Sequence, residues 1–204
     1  MTTGKIFLSG GGDEHASEIL DRQFFKEIPL GGKILYIATG FREDERYLRA
    51  YEWMQGVIKL QARRDVTFQM DNDLTLIKHL VDFDALYIAG GDINILMDEF
   101  DRTGFEFVIK NFSEHGGTVY GGGSGAITLG KYIDTNREVR RQYKTGVDLL
   151  GKYSVCTGYK GEKMDDWPQK HDSKLICIPD GIGVIVQDGK IVGDVGKSYT
   201  VYEQ

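Results

Sequence analysis

Residues 118–131 read TVYGGGSGAITLGK, and the way this stretch is read decides the fold. Its apolar start, Thr118-Val119-Tyr120, suits a buried strand, and the segment from Ala126 onward suits the opening of an apolar helix. Between the two lie Gly121, Gly122, Gly123, Ser124 and Gly125. Glycine adopts positive φ at little cost and lets a second backbone come close, so the run marks a strand turning sharply into a helix.

The same punctuation recurs along the chain. KIFLSGGG (5–12), KILYIATG (33–40), VTFQM (66–70), ALYIAGG (85–91) and KLICIP (174–179) are short apolar runs, most of them ended by glycine, and read as buried strands. Segments with helical spacing separate them, for example Leu96, Phe100, Phe107, Val108 and Phe112 along 92–115. Strands alternating with helices predict an α/β fold: a three-layer sandwich in which a mostly parallel, doubly wound sheet is covered on both faces. At 204 residues the chain is expected to form a single domain over 1–204. In such sheets ligands bind where strands end and helices begin. The glycine-rich ends Gly10–Gly12, Gly90–Gly91 and Gly121–Gly125 should therefore line one edge and form the site. VIVQDGKIVGDV (184–195) carries the Asp188-Gly189 pair that favours a tight turn, which predicts a C-terminal β-hairpin closing the sheet. YKGEKMDDWPQKHD (159–172) has no clean period and reads as a loop, placed to cover the site.

Charge and cysteine content narrow the function. A net charge of −6 repels phosphate backbones and anionic lipid, so neither nucleic acid nor a membrane is an expected partner. Cys156 and Cys177 are too few for a disulfide framework, lack metal-ligand spacing and sit in apolar runs where a thiol packs as a small hydrophobe. With no export signal and no apolar run near the roughly 20 residues that span a bilayer, the expectation is a soluble, cytoplasmic protein. No glycine run has the form GxGxxG or GxxxxGK[ST], which weighs against a phosphate cradle. Asp13 with Glu14, and Asp165 with Asp166, are acidic pairs of the kind found at helix starts and solvated surfaces, so no metal and no organic cofactor are expected.

The run at 121–125 fits a nucleophile elbow, G-x-S-x-G, in which flanking glycines relieve crowding around a strained residue that projects above the sheet. With Gly121 and Gly125 as the outer glycines, the nucleophile position falls on Gly123. Centring the motif on Ser124 makes the outer positions Gly122 and Ala126 and loses the second glycine.

YIAGGDINIL (87–96) and VYGGGSGAITLGK (119–131) together resemble peptidase E, the S51 serine peptidases that include aspartyl dipeptidases and cyanophycinases and share the class I glutamine amidotransferase-like fold, a flavodoxin-like arrangement. The resemblance covers most of the chain, from the first GGG to the final hairpin. The family elbow, G-x-S-A-G-A, aligns without a gap from Gly121, which puts Gly123 at the serine and Ser124 at the alanine. A strand ending in His-Tyr supplies the family's general base. The matching stretch here, YSVCTGYKGE (153–162), has Gly158 in the histidine's place before Tyr159.

By the same resemblance, Gly90 and Gly91 belong to the oxyanion and ligand-binding edge. Gly91 and the Ser124 amide would supply the two oxyanion donors, and Gly125 would close the elbow. Asp92 stands where the family usually has asparagine, and a carboxylate there would disfavour an anionic intermediate. Asp180 and Glu162 are candidates for the acidic triad member.

A serine hydroxyl without a base is a poor nucleophile, and losing either member of a serine–histidine pair commonly costs about as much as losing both. Three functions follow. A non-catalytic relative would bind a small peptide or amino-acid-like ligand. An active hydrolase would use a displaced pair, Ser124 with His171. A scaffold role rests on the edge hairpin, which can pair between subunits into a homodimer. His15, just after the first GGG, also lies near the predicted edge.

Overall fold

The structure is a computed structural model describing residues 2–13, 15–42, 45–70, 73–135 and 144–203. The apolar runs become β1 (Ile6–Ser9), β2 (Lys33–Ile37), β3 (Thr67–Met70), β4 (Ala85–Ile88) and β5 (Thr118–Gly122), all parallel to one another. With β8 (Gly183–Gln187) and β9 (Lys190–Val195) they build a seven-stranded sheet ordered β3-β2-β4-β5-β1-β8-β9. The fold is the expected mixed α/β sandwich, because β4, β2 and β5 are buried over most of their length and need cover on both faces.

Alternation along each strand sorts the core into two chemistries. Ile6, Leu8, Leu35, Ile37, Leu86, Ile88 and Val119 face α3 (Ile93–Thr103), α4 (Phe105–Glu114) and the short α5 (Ser124–Thr128). Phe7, Tyr36, Tyr87 and Tyr120 face the other way, toward α1 (Glu18–Lys26) and α2 (Arg46–Leu60). The helical stretch after β4 is two helices, because Gly104 takes a left-handed φ of 66° that ends α3 and starts α4. The β8–β9 turn has positive φ at both Asp188 (49°) and Gly189 (65°), the geometry that suits the twist of a hairpin.

The expectation that KLICIP joins the main sheet needs correcting. It forms β7 (Lys174–Ile178), which pairs with β6 (Tyr153–Thr157) and β10 (Thr200–Tyr202) in a separate three-stranded sheet. The outer edge of β1 is already taken by antiparallel β8, from Ile6 opposite Val186 to Ser9 opposite Gly183, so no parallel strand can add there. The loop predicted over 159–172 contains one turn of helix, α6 (Trp167–Lys170), started by Pro168. No helix among the described residues is long and apolar enough to cross a membrane.

Candidate functional site

β5 ends at Gly122 and α5 begins at Ser124, so Gly123 alone makes the turn between them. Its φ of 53° and ψ of −119° lie where an L side chain is strained, and this sharp strand-to-helix corner is what a nucleophile elbow requires. The glycines on either side are needed for different reasons. A Cβ on Gly121 would lie 2.7 Å from Ala126 Cα, and one on Gly125 would lie 2.4 Å from the Ile88 carbonyl oxygen. A Cβ on Gly123 would meet only Gly90 Cα, at 3.9 Å. The outer glycines are thus fixed by close backbone approach, whereas position 123 has room for a side chain and carries none.

Gly123 and Gly158 come together at the end of β1. The Gly123 amide donates to the Ser9 carbonyl at 3.1 Å, and the Gly158 amide donates to the next carbonyl, Gly10, at 2.9 Å. Gly158 follows β6 with φ +62°, and a Cβ there would lie 3.8 Å from Asp180 Oδ1. Of the two acidic candidates, Asp180 is therefore the one that borders Gly158. The Glu162 carboxylate instead accepts from the Lys160 amide. Tyr159 turns its hydroxyl to Tyr202 at 2.7 Å and donates to the Glu162 carbonyl at 2.8 Å.

Gly90, Gly91 and Asp92 form the facing edge. Gly91 has φ +105°, and a Cβ on it would fall 2.4 Å from the Gly40 carbonyl, so only glycine fits. A Cβ on Gly90 would sit 3.7 Å from the Ser124 nitrogen, which puts this edge beside the elbow. The Asp92 carboxylate accepts from the Asn94 amide at 2.7 Å and from Asn94 Nδ2 at 3.1 Å, capping α3. An acid at this position thus has a structural use, holding the amino terminus of a helix.

Ser124 and His171 are not brought together. Ser124 is the first residue of α5. His171 follows α6, stacks on Trp167 at 3.7 Å between ring centroids and places Nε2 3.0 Å from Asp134 Oδ2. Its other ring nitrogen faces the Trp167 carbonyl at 3.3 Å, so both nitrogens are engaged in the region of the small sheet. Among the described residues no contact joins this imidazole to the elbow. His15 sits in the turn before α1 and is exposed.

The thiols of Cys156 and Cys177 lie side by side, opposite each other across β6 and β7. Their interaction holds Cys156 below the ordinary thiol range and, together with burial, pushes Cys177 up. Among the described residues no three His, Cys, Asp or Glu side chains gather as a metal site. Asp13 accepts from the amides of His15 and Ala16, Asp166 pairs with Lys170, and Glu14 lies outside the described residues.

On the aromatic face, the glycine edge opens into a cavity of about 310 Å³. Gly11, Gly12, Gly90, Gly122 and Gly123 form its rim, bringing the three predicted strand ends together, while Tyr36, Trp53, Tyr87 and Tyr120 form its wall. The tyrosines are an in-register ladder: Tyr36 lies opposite Tyr87, Tyr87 opposite Tyr120, and Tyr120 opposite Phe7. Tyr87 and Tyr120 stack at 4.1 Å, and Trp53 stacks on Tyr36 at 6.1 Å. The signal was present in the sequence, since YIATG (36–40) and YIAGG (87–91) set a tyrosine at the same distance from a strand end.

Beneath the wall, Asp21 is 1% exposed, and burial raises its pKa to about 6 against the opposing hydrogen bond from Ser17 at 2.8 Å. Asp21 Oδ1 and the Tyr120 hydroxyl are buried without a well-formed hydrogen bond, although Asp21, Ser9 and Tyr87 are close enough to perturb the Tyr120 phenol.

Comparison with known proteins agrees with this architecture. The chain is similar in structure to a protein assigned by name as a peptidase E from Listeria monocytogenes EGD-e, with a TM-score of 0.66, 16% identity and 99% of each chain covered. It is also similar to a peptidase from an acI-B1 Actinobacterium, with a TM-score of 0.69 and 20% identity over 99% of this chain and 95% of that one. No curated protein matches the sequence. The family model for peptidase family S51 matches residues 6–192, nearly the whole chain from β1 into β9, and the chain belongs to that family.

Proposed function

We propose that this S51 member binds a small peptide or amino-acid-like ligand at the elbow edge and does not cleave it by serine chemistry. The observation that carries the reading is Gly123: the strained corner of a nucleophile elbow is kept, with space beside it, while the residue at the corner has no side chain. Strain of this kind costs on the order of 1–3 kcal/mol in residues other than glycine and is ordinarily retained where a side chain must project into a site. Gly158, whose amide bonds to the carbonyl next to the one that holds Gly123, lacks the base as well. A hydrolase built on Ser124 would need an imidazole, and His171 is committed to Trp167 and Asp134.

A fluorophosphonate probe tests this directly. The wild-type protein should remain unlabelled. The double variant Gly123→Ser/Gly158→His should be labelled at position 123, because a side chain there meets only Gly90 and one at 158 points toward Asp180. Labelling of wild-type Ser124 would overturn the proposal.

A further inference from the structure

The paired thiols of the small sheet take no part in the reading of the glycine edge, and the strand register gives them a chemistry of their own. We propose that Cys156 and Cys177 form a reversible dithiol–disulfide site, in which Cys156 meets a peroxide and Cys177 closes the bond.

The two are register partners in the parallel pair β6–β7. Neighbouring strands lie about 4.8 Å apart, inside the range of about 4.4–6.8 Å between Cα atoms that a disulfide spans. Register partners also project from the same face of a sheet, and both side chains belong to one apolar cluster with Trp167 and Leu175. Closing the bond therefore asks for a turn of two side chains and leaves the strands in place. Access separates the two thiols: Cys156 is half-buried, whereas Cys177 is fully buried. An oxidant reaches the first and not the second. The Cys177 thiol beside it also favours the Cys156 thiolate, the form that attacks. The chain has no other cysteine, so any bond within it is this one. Cys156 lies two residues before Gly158, and Cys177 lies three before Asp180, so the pair joins the two strands that lead to the elbow edge.

With a peroxide the chemistry balances in two steps. The Cys156 sulfur attacks one oxygen and breaks the O–O bond, giving a sulfenic acid and hydroxide, which leaves as water with the Cys156 proton. The Cys177 sulfur then attacks the Cys156 sulfur, the S–O bond breaks, and the second oxygen leaves as water with the Cys177 proton. Two thiols lose two electrons and two protons, and the peroxide is reduced to two waters.

Mass spectrometry of the reduced, folded protein after equimolar hydrogen peroxide tests the site. The single chain should lose the mass of two hydrogens, an unreduced tryptic digest should join 153–160 to 175–190, and dithiothreitol should restore both thiols. Iodoacetamide should alkylate Cys156 at least about tenfold faster than Cys177. Cys177→Ala should stop at the sulfenic acid of Cys156, captured by dimedone, and Cys156→Ala should leave Cys177 unreacted. The wild-type measurements decide the matter whether or not either variant folds. No loss of mass, a bond that forms only in urea, a disulfide between two chains in place of one within, sulfinic acid at Cys156 with Cys177 free, or faster alkylation of Cys177 would each overturn the proposal.

Discussion

The two faces of the central sheet are built from the same strands and filled in opposite ways. Toward α3–α5 the inward residues are aliphatic, and Leu86, Ile88 and Val119 pack against Leu96, Phe100 and Ile109 in one continuous cluster. Toward α1 and α2 they are aromatic, Phe7, Tyr36, Tyr87 and Tyr120, and the packing leaves a cavity at the carboxyl ends of the strands. Both faces are close-packed along the strands, and the space lies where the aromatic residues meet the glycine rim. Both faces are buried, and only the aromatic one opens into a cavity at the glycine rim.

Truncation should separate the faces most sharply. Phe100→Ala, at a fully buried position between aliphatic residues and the Phe105 ring, should cost about 3–5 kcal/mol in urea unfolding, whereas Trp53→Ala, partly exposed at the cavity wall, should cost less than about 3 kcal/mol. Equal losses would erase the distinction.

Titration of Asp21 gives the next largest effect and belongs to the aromatic face alone. Its pKa is raised to about 6 in the fold, first by burial, so the native state holds a proton that the unfolded chain has released. The resulting stability is complete below about pH 4 and is lost as pH rises through about 6, a difference of about 3 kcal/mol. Asp21→Asn, neutral throughout, should gain on the wild type by up to about that amount between pH 4 and pH 7. A difference between the two that is flat with pH would remove Asp21 as a buried acid.

The smallest effect concerns helix starts. Asp92 caps α3 on the aliphatic face, and Asp92→Ala should cost about 1 kcal/mol. Ser17 at the start of α1 makes no cap hydrogen bond and gives its hydroxyl to Asp21. Ser17→Ala should accordingly act mainly by moving the Asp21 titration upward, measurable in the same pH series.

Much of the site's outline was legible before any coordinates. The glycine runs at 10–12, 90–91 and 121–125 announced a common edge because strand ends of a parallel sheet face one way, and they do line one cavity. The registration of the elbow on Gly123 followed from the two outer glycines, and the close approaches at Gly121 and Gly125 give its cause. Other features were hidden because they depend on partners distant in sequence. Nothing local distinguishes β7 from a strand of the main sheet; its exclusion follows from the hairpin occupying the edge of β1. Asp92 read as an electrostatic fault in an oxyanion site, and only the position of Asn94 reveals it as a cap. The pairing of Ser124 with His171 looked available along the chain, yet the imidazole is held by Trp167 and Asp134 in the region of the small sheet.

By itself the sequence determined the α/β layering, the strand ends that gather at one edge, and the presence of glycine at both positions where the resemblance places catalytic side chains. These are properties of local pattern: the alternation of strand and helix, and which backbone angles a residue can adopt. Tertiary structure alone decided that Gly123 and Gly158 bond to the neighbouring carbonyls of Ser9 and Gly10 at the end of β1, and that three tyrosines from separate strands stand in register as one wall. Both depend on how parallel strands align, and that alignment is fixed by packing across the whole sheet.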